Sequence, residues 1–174
     1  MMRNTRSGFT LIEMLVVLAI ITILGSLLLG GLAAAKKRAN IDSVQMTLRG
    51  LEAALERYEG DFNDYPPSDG DTTGMTGAEN LYECLHTTSK SGDYLPKSSD
   101  FRTVENQKTG KAVLCDVWNH PILYFHHHDY GGKAPNKHTY RLISAGPNGQ
   151  YENISTPGFD SDDIVNWNKA KPED

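Results

Sequence analysis

An apolar segment at residues 9–35 most constrains what this chain can fold into. Its 27 residues contain one ionisable side chain, Glu13, which lies near the start of the segment. A helix needs roughly 20 apolar residues to cross the hydrocarbon core of a bilayer, so the segment is long enough to span a membrane with some tilt. We therefore predict a membrane helix that begins near Phe9 and carries a carboxylate near one end.

The carboxylate of Glu13 needs a partner, because a charge inside a bilayer is costly and usually functional. The segment contains no cation, but cleavage between Gly8 and Phe9 would create an α-amino group four residues before Glu13, on the same helix face. That amine could pair with Glu13 of its own chain or of a neighbouring subunit, and the second pairing would join subunits at a fixed axial stagger. The alternative is a carboxylate that snorkels to the interface of an ordinary signal anchor.

The residues around this point carry a family resemblance. Two cations, Arg3 and Arg6, are followed by an uninterrupted motif: Ser7, Gly8, Phe9, Thr10, Leu11, Ile12, Glu13. This order resembles the class III signal of type IV pilins and pseudopilins. The resemblance implies cleavage after Gly8 by a prepilin peptidase, N-methylation of Phe9, and use of Glu13 as the assembly carboxylate. A secretory signal is cut after its apolar core instead, so here the apolar helix stays in the mature protein.

Length and charge indicate one soluble domain attached to this helix. We predict a leader at residues 1–8, a transmembrane and assembly helix at 9–35, and a globular domain at 36–174. The net charge of −5 becomes −7 when residues 1–8 are removed, because Arg3 and Arg6 are lost with them. This acidity argues against nucleic acid as a partner and suits divalent cations.

The orientation of the helix in the membrane rests on the resemblance. Arg3 and Arg6 precede the apolar segment, but three further cations follow it at residues 36–38, so the positive-inside rule gives a mixed signal. The cleavage motif places Gly8 on the cytoplasmic side in the family that it resembles. We therefore expect a single-pass inner-membrane protein with a periplasmic C-terminal domain.

The helix is expected to continue beyond the apolar segment as an amphipathic helix. Apolar side chains recur in steps of three and four residues at Ile41, Val44, Leu48, Leu51, Leu55 and Tyr58. That spacing predicts a helical stripe, and therefore one helix of about 50 residues from near Phe9 to near Tyr58. A glycine and a proline pair at residues 60, 66 and 67 indicate where it ends.

The remaining chain predicts a small sheet. A short helix is expected at residues 78–86 and a polar connection at 87–111, while β-branched and aromatic runs occupy 112–118, 121–128 and 139–144. The expected fold class is α+β and pilin-like, with the amphipathic half of the long helix packed on a small antiparallel β-sheet. Cys84 and Cys115 could form one disulfide in an exported domain or remain thiols.

The resemblance extends along most of the chain. The residues that carry it are Tyr58, Asp61, Tyr65, Pro66, Asp116, Trp118, Pro121, Tyr140, Arg141, Ser144, Gly146, Pro147, Gly149, Asp162, Asp163 and Trp167. In this order they look like the major pseudopilin of type II secretion systems. The resemblance implies a structural subunit that polymerises into a periplasmic pseudopilus and drives protein export.

The same resemblance implies a set of partners. They are further copies of the chain, a prepilin peptidase, an inner-membrane assembly platform, minor pseudopilins, and membrane lipid before assembly. No catalytic triad and no phosphate-binding glycine loop stands out in the sequence, so we expect no enzyme.

A calcium site is implied near the C-terminus. Calcium takes six to eight oxygen ligands from carboxylates, amides, carbonyls and water, and the stretches 144–149 and 160–163, which flank one polar loop, offer such oxygens. Mapped from the resemblance, the side-chain ligands are Asn148, either Asp160 or Asp162, and Asp163, with carbonyl groups near Ala145. Acidity alone favours a solvated loop, and the choice between Asp160 and Asp162 is open.

The three histidines His126, His127 and His128 lie in a predicted strand. Alternate strand residues face opposite sides, so at most two of the three share a face. The sequence shows no cysteine or carboxylate beside them at ligand spacing, so we expect a strand rather than a metal site.

Two other functions fit the sequence. One is a minor pseudopilin, or a type IV pilin of a related machine, on the same scaffold. The other is a signal-anchored, monomeric periplasmic domain, such as a metal-dependent hydrolase or a metal-binding module. The second alternative predicts that the chain is not processed after Gly8.

Overall fold

The computed structural model describes residues 9–87, 93–95, 101–130, 140–152 and 162–167, and for 27–31 and 130 the backbone alone. The chain divides into two compact units, residues 1–39 and 40–174. The helices and strands, in chain order, are α1 (Leu11–Phe62), α2 (Met75–Thr87), β1 (Arg102–Glu105), β2 (Ala112–Cys115), β3 (Leu123–His126), β4 (Tyr140–Ser144) and β5 (Ile164–Val165). Short 3₁₀ turns follow β3 (His127–Tyr130) and β4 (Gly146–Asn148).

The long helix α1 confirms the helical prediction and runs one turn further than expected. Gly60 remains helical, and the helix ends after Phe62. Asn63 then takes a left-handed conformation with φ of 58°, and its N–H donates to the carbonyl of Glu59 at 2.6 Å. A left-handed residue is a common way to close a helix, and asparagine adopts this conformation more readily than most residues.

The described part of the first unit exposes its apolar side chains. Phe9 is 73% exposed and Leu11 is 83% exposed. The other large exposed apolar side chains of this unit are Ile12, Met14, Leu15, Val16, Val17, Leu18, Ile20, Ile21, Ile23, Leu24 and Leu32. Among the described residues, no helix combines the length and the apolar character that a membrane crossing requires.

The core of the second unit lies along the predicted stripe of α1. Val44, Leu51 and Leu55 are fully buried there. The other buried members of this cluster include Leu48, Tyr58, Leu81, Leu85, Leu114, Ile122, Tyr124, Tyr140, Leu142 and Ile164. The stripe is therefore confirmed as the face on which α2 and the strands pack.

The strands form two small antiparallel sheets among the described residues, where one sheet was expected. β1 pairs with β2, and β4 lies between β3 and β5. The three strand regions predicted from the sequence contain β2, β3 and β4, so the α+β fold class is confirmed. No pattern in the sequence indicates β1, whose side chains are mostly exposed, or β5, which has two residues.

The two sides of the second sheet bury different side chains, as the period of two along a strand requires. Tyr124 of β3 and Leu142 of β4 join the cluster around α1. Leu123, Phe125 and Ile143 form a second, smaller cluster. Because both sides are covered, β3 and β4 are buried along their whole length and appear in the sequence as continuous apolar runs.

Helix α2 begins three residues earlier than predicted because Asp71 caps it. The Oδ2 atom of Asp71 accepts the N–H of Thr76, and Oδ1 accepts the N–H of Thr73, both at 2.8 Å. Burial raises the pKa of Asp71, but these hydrogen bonds outweigh it and lower the pKa to about 2. The carboxylate is therefore charged at neutral pH and stabilises the helix start.

The two cysteines are thiols in the structure, so the disulfide that they could form is absent. Cys115 is buried at the end of β2, and burial raises the pKa of its thiol. Cys84 on α2 is half-buried and interacts with the hydroxyl of Tyr58. The two thiols therefore lie in different environments, that of Cys115 in the core and that of Cys84 beside Tyr58.

Candidate functional site

The start of α1 is a capping box built from Thr10 and Glu13. The backbone N–H and the hydroxyl of Thr10 both donate to Oε2 of Glu13 at 2.8 Å. In return, the N–H of Glu13 donates to the hydroxyl oxygen of Thr10 at 3.4 Å. Such a reciprocal pair satisfies the unpaired N–H groups of a helix start. Thr10 thereby holds the carboxylate of Glu13 at the N-terminal end of the helix.

The sequence carried a signal for this arrangement that our prediction did not use. Threonine followed three residues later by glutamate, just before an apolar run, is the pattern of a capping box. Glu13 and Phe9 are described and lie as predicted at the start of the helix, where the apolar side chains around them are exposed. Gly8 lies outside the described residues, so the cleavage position remains a prediction.

The loop after β4 brings part of the predicted calcium ligand set together. The 3₁₀ turn over Gly146–Asn148 places the N–H of Asn148 at 3.1 Å from Oδ2 of Asp162, to which it donates. The side-chain oxygen of Asn148 accepts the N–H of Gln150 at 2.6 Å. Ala145, the predicted carbonyl position, is fully buried directly before this turn.

Two neighbouring aspartates complete this group. Asp163 is 2% exposed, and its Oδ2 atom accepts the N–H of Glu152 at 3.0 Å. The Oδ1 atom of Asp162 is buried and has no hydrogen-bond partner among the described residues. Asp160, the alternative ligand, lies outside the described residues, so the choice between it and Asp162 stays open.

A third carboxylate in this group was missed from the sequence. The side-chain amide of Asn148 donates to Oε1 of Glu152 at 3.4 Å, and the backbone of Glu152 is tied to Asp163. Glu152 lies in the loop after Gly149, where nothing in the sequence fixes which side chains fold back. We refer to Asn148, Glu152, Asp162 and Asp163 as the acidic loop.

Buried Asp116 holds together the two segments on which the acidic loop rests. Its Oδ1 atom accepts the N–H groups of Trp118 and His120, both at 2.9 Å. Its Oδ2 atom accepts the hydroxyl of Ser144 at 2.7 Å. The ring of His120 has Nδ1 at 3.2 Å from the carbonyl oxygen of Gly146. Asp116 therefore fixes the turn before β3 against the end of β4, where the acidic loop begins.

Gly146 is expected to be intolerant of any side chain. It has φ of 62°, and a Cβ added there would lie 2.2 Å from the carbonyl oxygen of Asp162. We expect Gly146→Ala to lower the free energy of unfolding by about 2–4 kcal/mol, measured by urea unfolding. Gly110→Ala is the matched control, because its φ is 70° with open space around it, and a left-handed alanine alone costs about 1–2 kcal/mol. Equal losses of unfolding free energy in the two variants would show that the contact with the carbonyl of Asp162 adds nothing to the cost of the left-handed backbone.

Comparison with known proteins places these features in a family. A family model described as "Prokaryotic N-terminal methylation motif" matches residues 3–29. The chain is 30% identical to the type II secretion system core protein G of Escherichia coli (strain K12) over 171 residues, which cover 97% of this chain and 95% of that relative. The chain belongs to the type II secretion system core protein G family. The resemblance seen in the sequence is thereby confirmed.

Two further relatives show the extent of the similarity. The core protein G of Pseudomonas aeruginosa is 29% identical over 170 residues, which cover 96% of this chain and 99% of that relative. The "Type IV wide pilus major component PilA4" of Thermus thermophilus is 48% identical over 64 residues, which cover 37% of this chain and 48% of that relative. The core protein G relatives thus match over nearly the whole chain, and the pilus component matches over a shorter segment.

Proposed function

We propose that this core protein G family member is the structural subunit of a periplasmic pseudopilus that drives protein export through a type II secretion system. The observation that carries the proposal is Glu13, which Thr10 holds at the end of a helix whose apolar side chains are exposed. An apolar surface of this extent needs a cover. Lipid supplies that cover before assembly, and the helices of other copies supply it afterwards. The role is structural rather than enzymatic.

Processing at Gly8 supplies the positive partner that the Glu13 carboxylate lacks. Cleavage by a prepilin peptidase frees the amine of Phe9, and the amine of one subunit then pairs with Glu13 of the next. In a bundle of apolar helices such a pair attracts more strongly than in water, and either charge left alone there is strongly unfavourable. Because Oε2 of Glu13 already accepts from Thr10, the carboxylate is oriented before the partner arrives. N-methylation of Phe9 keeps the charge on the amine.

The proposed location and partners follow from this role. Residues 9–35 anchor the subunit in the inner membrane as a single span, and the C-terminal domain lies in the periplasm. The apolar sequence and its cleavage motif support both parts of this proposal. The partners are further copies of the chain, the prepilin peptidase, the inner-membrane assembly platform and minor pseudopilins.

We propose in addition that the acidic loop holds a calcium ion. The buried Oδ1 atom of Asp162, which has no hydrogen-bond partner among the described residues, fits a cation ligand. Asp162, Asp163 and the amide oxygen of Asn148 would hold the ion, with a carbonyl near Ala145 and Glu152 as a further oxygen donor. Bound calcium neutralises the carboxylates and joins the segment before β5 to the end of β4.

The mature N-terminus tests the proposed processing most directly. We expect mass spectrometry of the protein from its native membrane to find a chain that begins at Phe9 and carries one added methyl group. A Gly8→Leu variant, whose peptidase site is altered, is the control and should keep its leader. A native chain that still begins at its first methionines would contradict the proposal and favour a signal-anchored monomer.

A further inference from the structure

Three histidine side chains gather where β3 ends. β3 stops at His126, and a 3₁₀ turn begins at His127. The alternation of strand side chains therefore ends at this point, and the expectation that at most two of the three share a face is wrong. One ring nitrogen from each of His126, His127 and His128 lies within 4.8 Å of the others. The ring centroids are 4.0–4.8 Å apart.

A carboxylate also stands beside this cluster, which the sequence did not indicate. Oδ1 of Asp64 is 3.1 Å from Nε2 of His126, although 62 residues separate them in the chain. A carboxylate oxygen accepts hydrogen bonds, so Nε2 of His126 is the donor in this contact. The other ring nitrogen, Nδ1, accepts the N–H of His128 at 3.4 Å. The lone pair of Nδ1 is therefore directed toward the 3₁₀ turn, and a bound metal ion would replace the N–H of His128 as its partner.

The pairing of Asp64 with His126 is the arrangement that orients metal-binding histidines. A histidine that ligates a metal usually donates its other ring N–H to a carboxylate, which fixes the tautomer and makes the ligating nitrogen more basic. His126 is 5% exposed, so its ring has little freedom to turn away from this position.

The backbone around the cluster is tied down by Ser68. Its hydroxyl oxygen accepts the N–H of His126 at 2.8 Å, and the hydroxyl donates to Oδ2 of Asp129. The segment after α1, the end of β3 and the 3₁₀ turn are thus fixed to one another. A solvent-open pocket of 460 Å³, lined by Asp64, Ser68, His126, His128 and Asp129 among others, gives an ion access to the cluster.

We propose that His126, His127 and His128 bind a divalent transition-metal ion, with Zn²⁺ as the representative. Three imidazole nitrogens are donors that such ions prefer and that calcium does not. Tetrahedral zinc has Zn–N distances of about 2.0–2.1 Å, which sets the nitrogens about 3.4 Å apart. The nitrogens lie within 4.8 Å of one another, so the rings of His127 and His128 would turn on binding to close the remaining separation. The fourth position faces the pocket and takes water or an outside ligand.

Metal binding at this position connects parts of the fold that are far apart in sequence. Asp64 directly follows the end of α1, and the three histidines follow β3, so the bound ion would brace the segment after α1 against the second sheet. None of these residues belongs to the acidic loop, and the two kinds of ion prefer different donors. The zinc site and the calcium site therefore fill independently.

A zinc titration tests the proposal on the full chain in detergent micelles, freed of metal by chelation and then saturated with calcium. We expect calorimetry to show one Zn²⁺ per chain, and Co²⁺ to give the absorption of a tetrahedral complex. The double variant His127→Gln/His128→Gln should lose roughly 100-fold or more in zinc affinity, and Asp64→Asn about 10–100-fold. The matched control is His86→Gln on α2, another exposed histidine beside an aspartate, which should bind as the parent does.

Unchanged zinc affinity in the double variant, or no zinc uptake by the parent, would overturn the proposal. Circular dichroism shows whether the double variant folds. If it does not, the single variant His128→Gln decides, because that side chain is exposed and its loss leaves no cavity. An affinity for zinc equal to that of the parent in His128→Gln also counts against the site.

Discussion

Replacing Glu13 by alanine is expected to abolish fibre assembly and to leave membrane insertion unchanged. Insertion depends on the apolar residues 9–35, and removing a charge from them makes insertion more favourable. Assembly depends on a partner for the freed amine of Phe9, and without Glu13 that amine enters the helix bundle unpaired. Membrane fractionation measures insertion, and recovery of sheared fibres measures assembly.

Two further variants separate the role of the charge from other effects. Glu56→Ala removes an exposed carboxylate from the same helix far from its start, and it should assemble normally. Thr10→Val removes the hydroxyl that donates to Glu13 and keeps the charge, so we expect it to reduce assembly without abolishing it. Fibre yields from Glu13→Ala that equal those of the parent would rule out the proposed pairing.

The long helix was predictable because its signals are local and repeated. The stripe from Ile41 to Tyr58 keeps its spacing over five turns, and burial then follows from the need to cover an apolar face. The end of α1 was less certain because one residue decides it. Gly60 can stay helical, and the left-handed Asn63 that stops the helix is one of several turn-forming residues between Gly60 and Pro67.

The parts that could not be predicted depend on contacts between distant residues. β1 pairs with β2 through the backbone, and its exposed side chains leave no apolar pattern. The histidine cluster depends on the residue at which β3 stops, and its carboxylate comes from Asp64, a position 62 residues away. Glu152 reaches the acidic loop only because its N–H is bonded to Asp163. None of these pairings has a fixed sequence spacing.

Removing calcium with EGTA is expected to lower the melting temperature of the full chain, measured in zinc-free buffer. A ligand at about 100 times its Kd stabilises the folded state by about 2.7 kcal/mol. For a chain of 150–250 residues, about 1 kcal/mol changes the melting temperature by about 2–4 °C, so we expect a fall of about 5–10 °C. Added Ca²⁺ should restore the melting temperature. Mg²⁺ should not, because it demands a tighter octahedral site and keeps its water. Circular dichroism during heating measures both effects.

The variant Asp163→Asn decides whether the acidic loop is the site of this effect. The asparagine oxygen can still accept the N–H of Glu152, so the fold keeps that hydrogen bond while the charge that a cation needs is lost. We expect this variant to melt near the calcium-free temperature of the parent and to respond little to Ca²⁺ or EGTA. Asp42→Asn, an exposed acid on α1, should keep the full response. If EGTA left the parent's melting temperature unchanged, the buried Oδ1 atom of Asp162 would need an explanation other than calcium, because a carboxylate oxygen without a hydrogen bond destabilises the fold unless a cation compensates it.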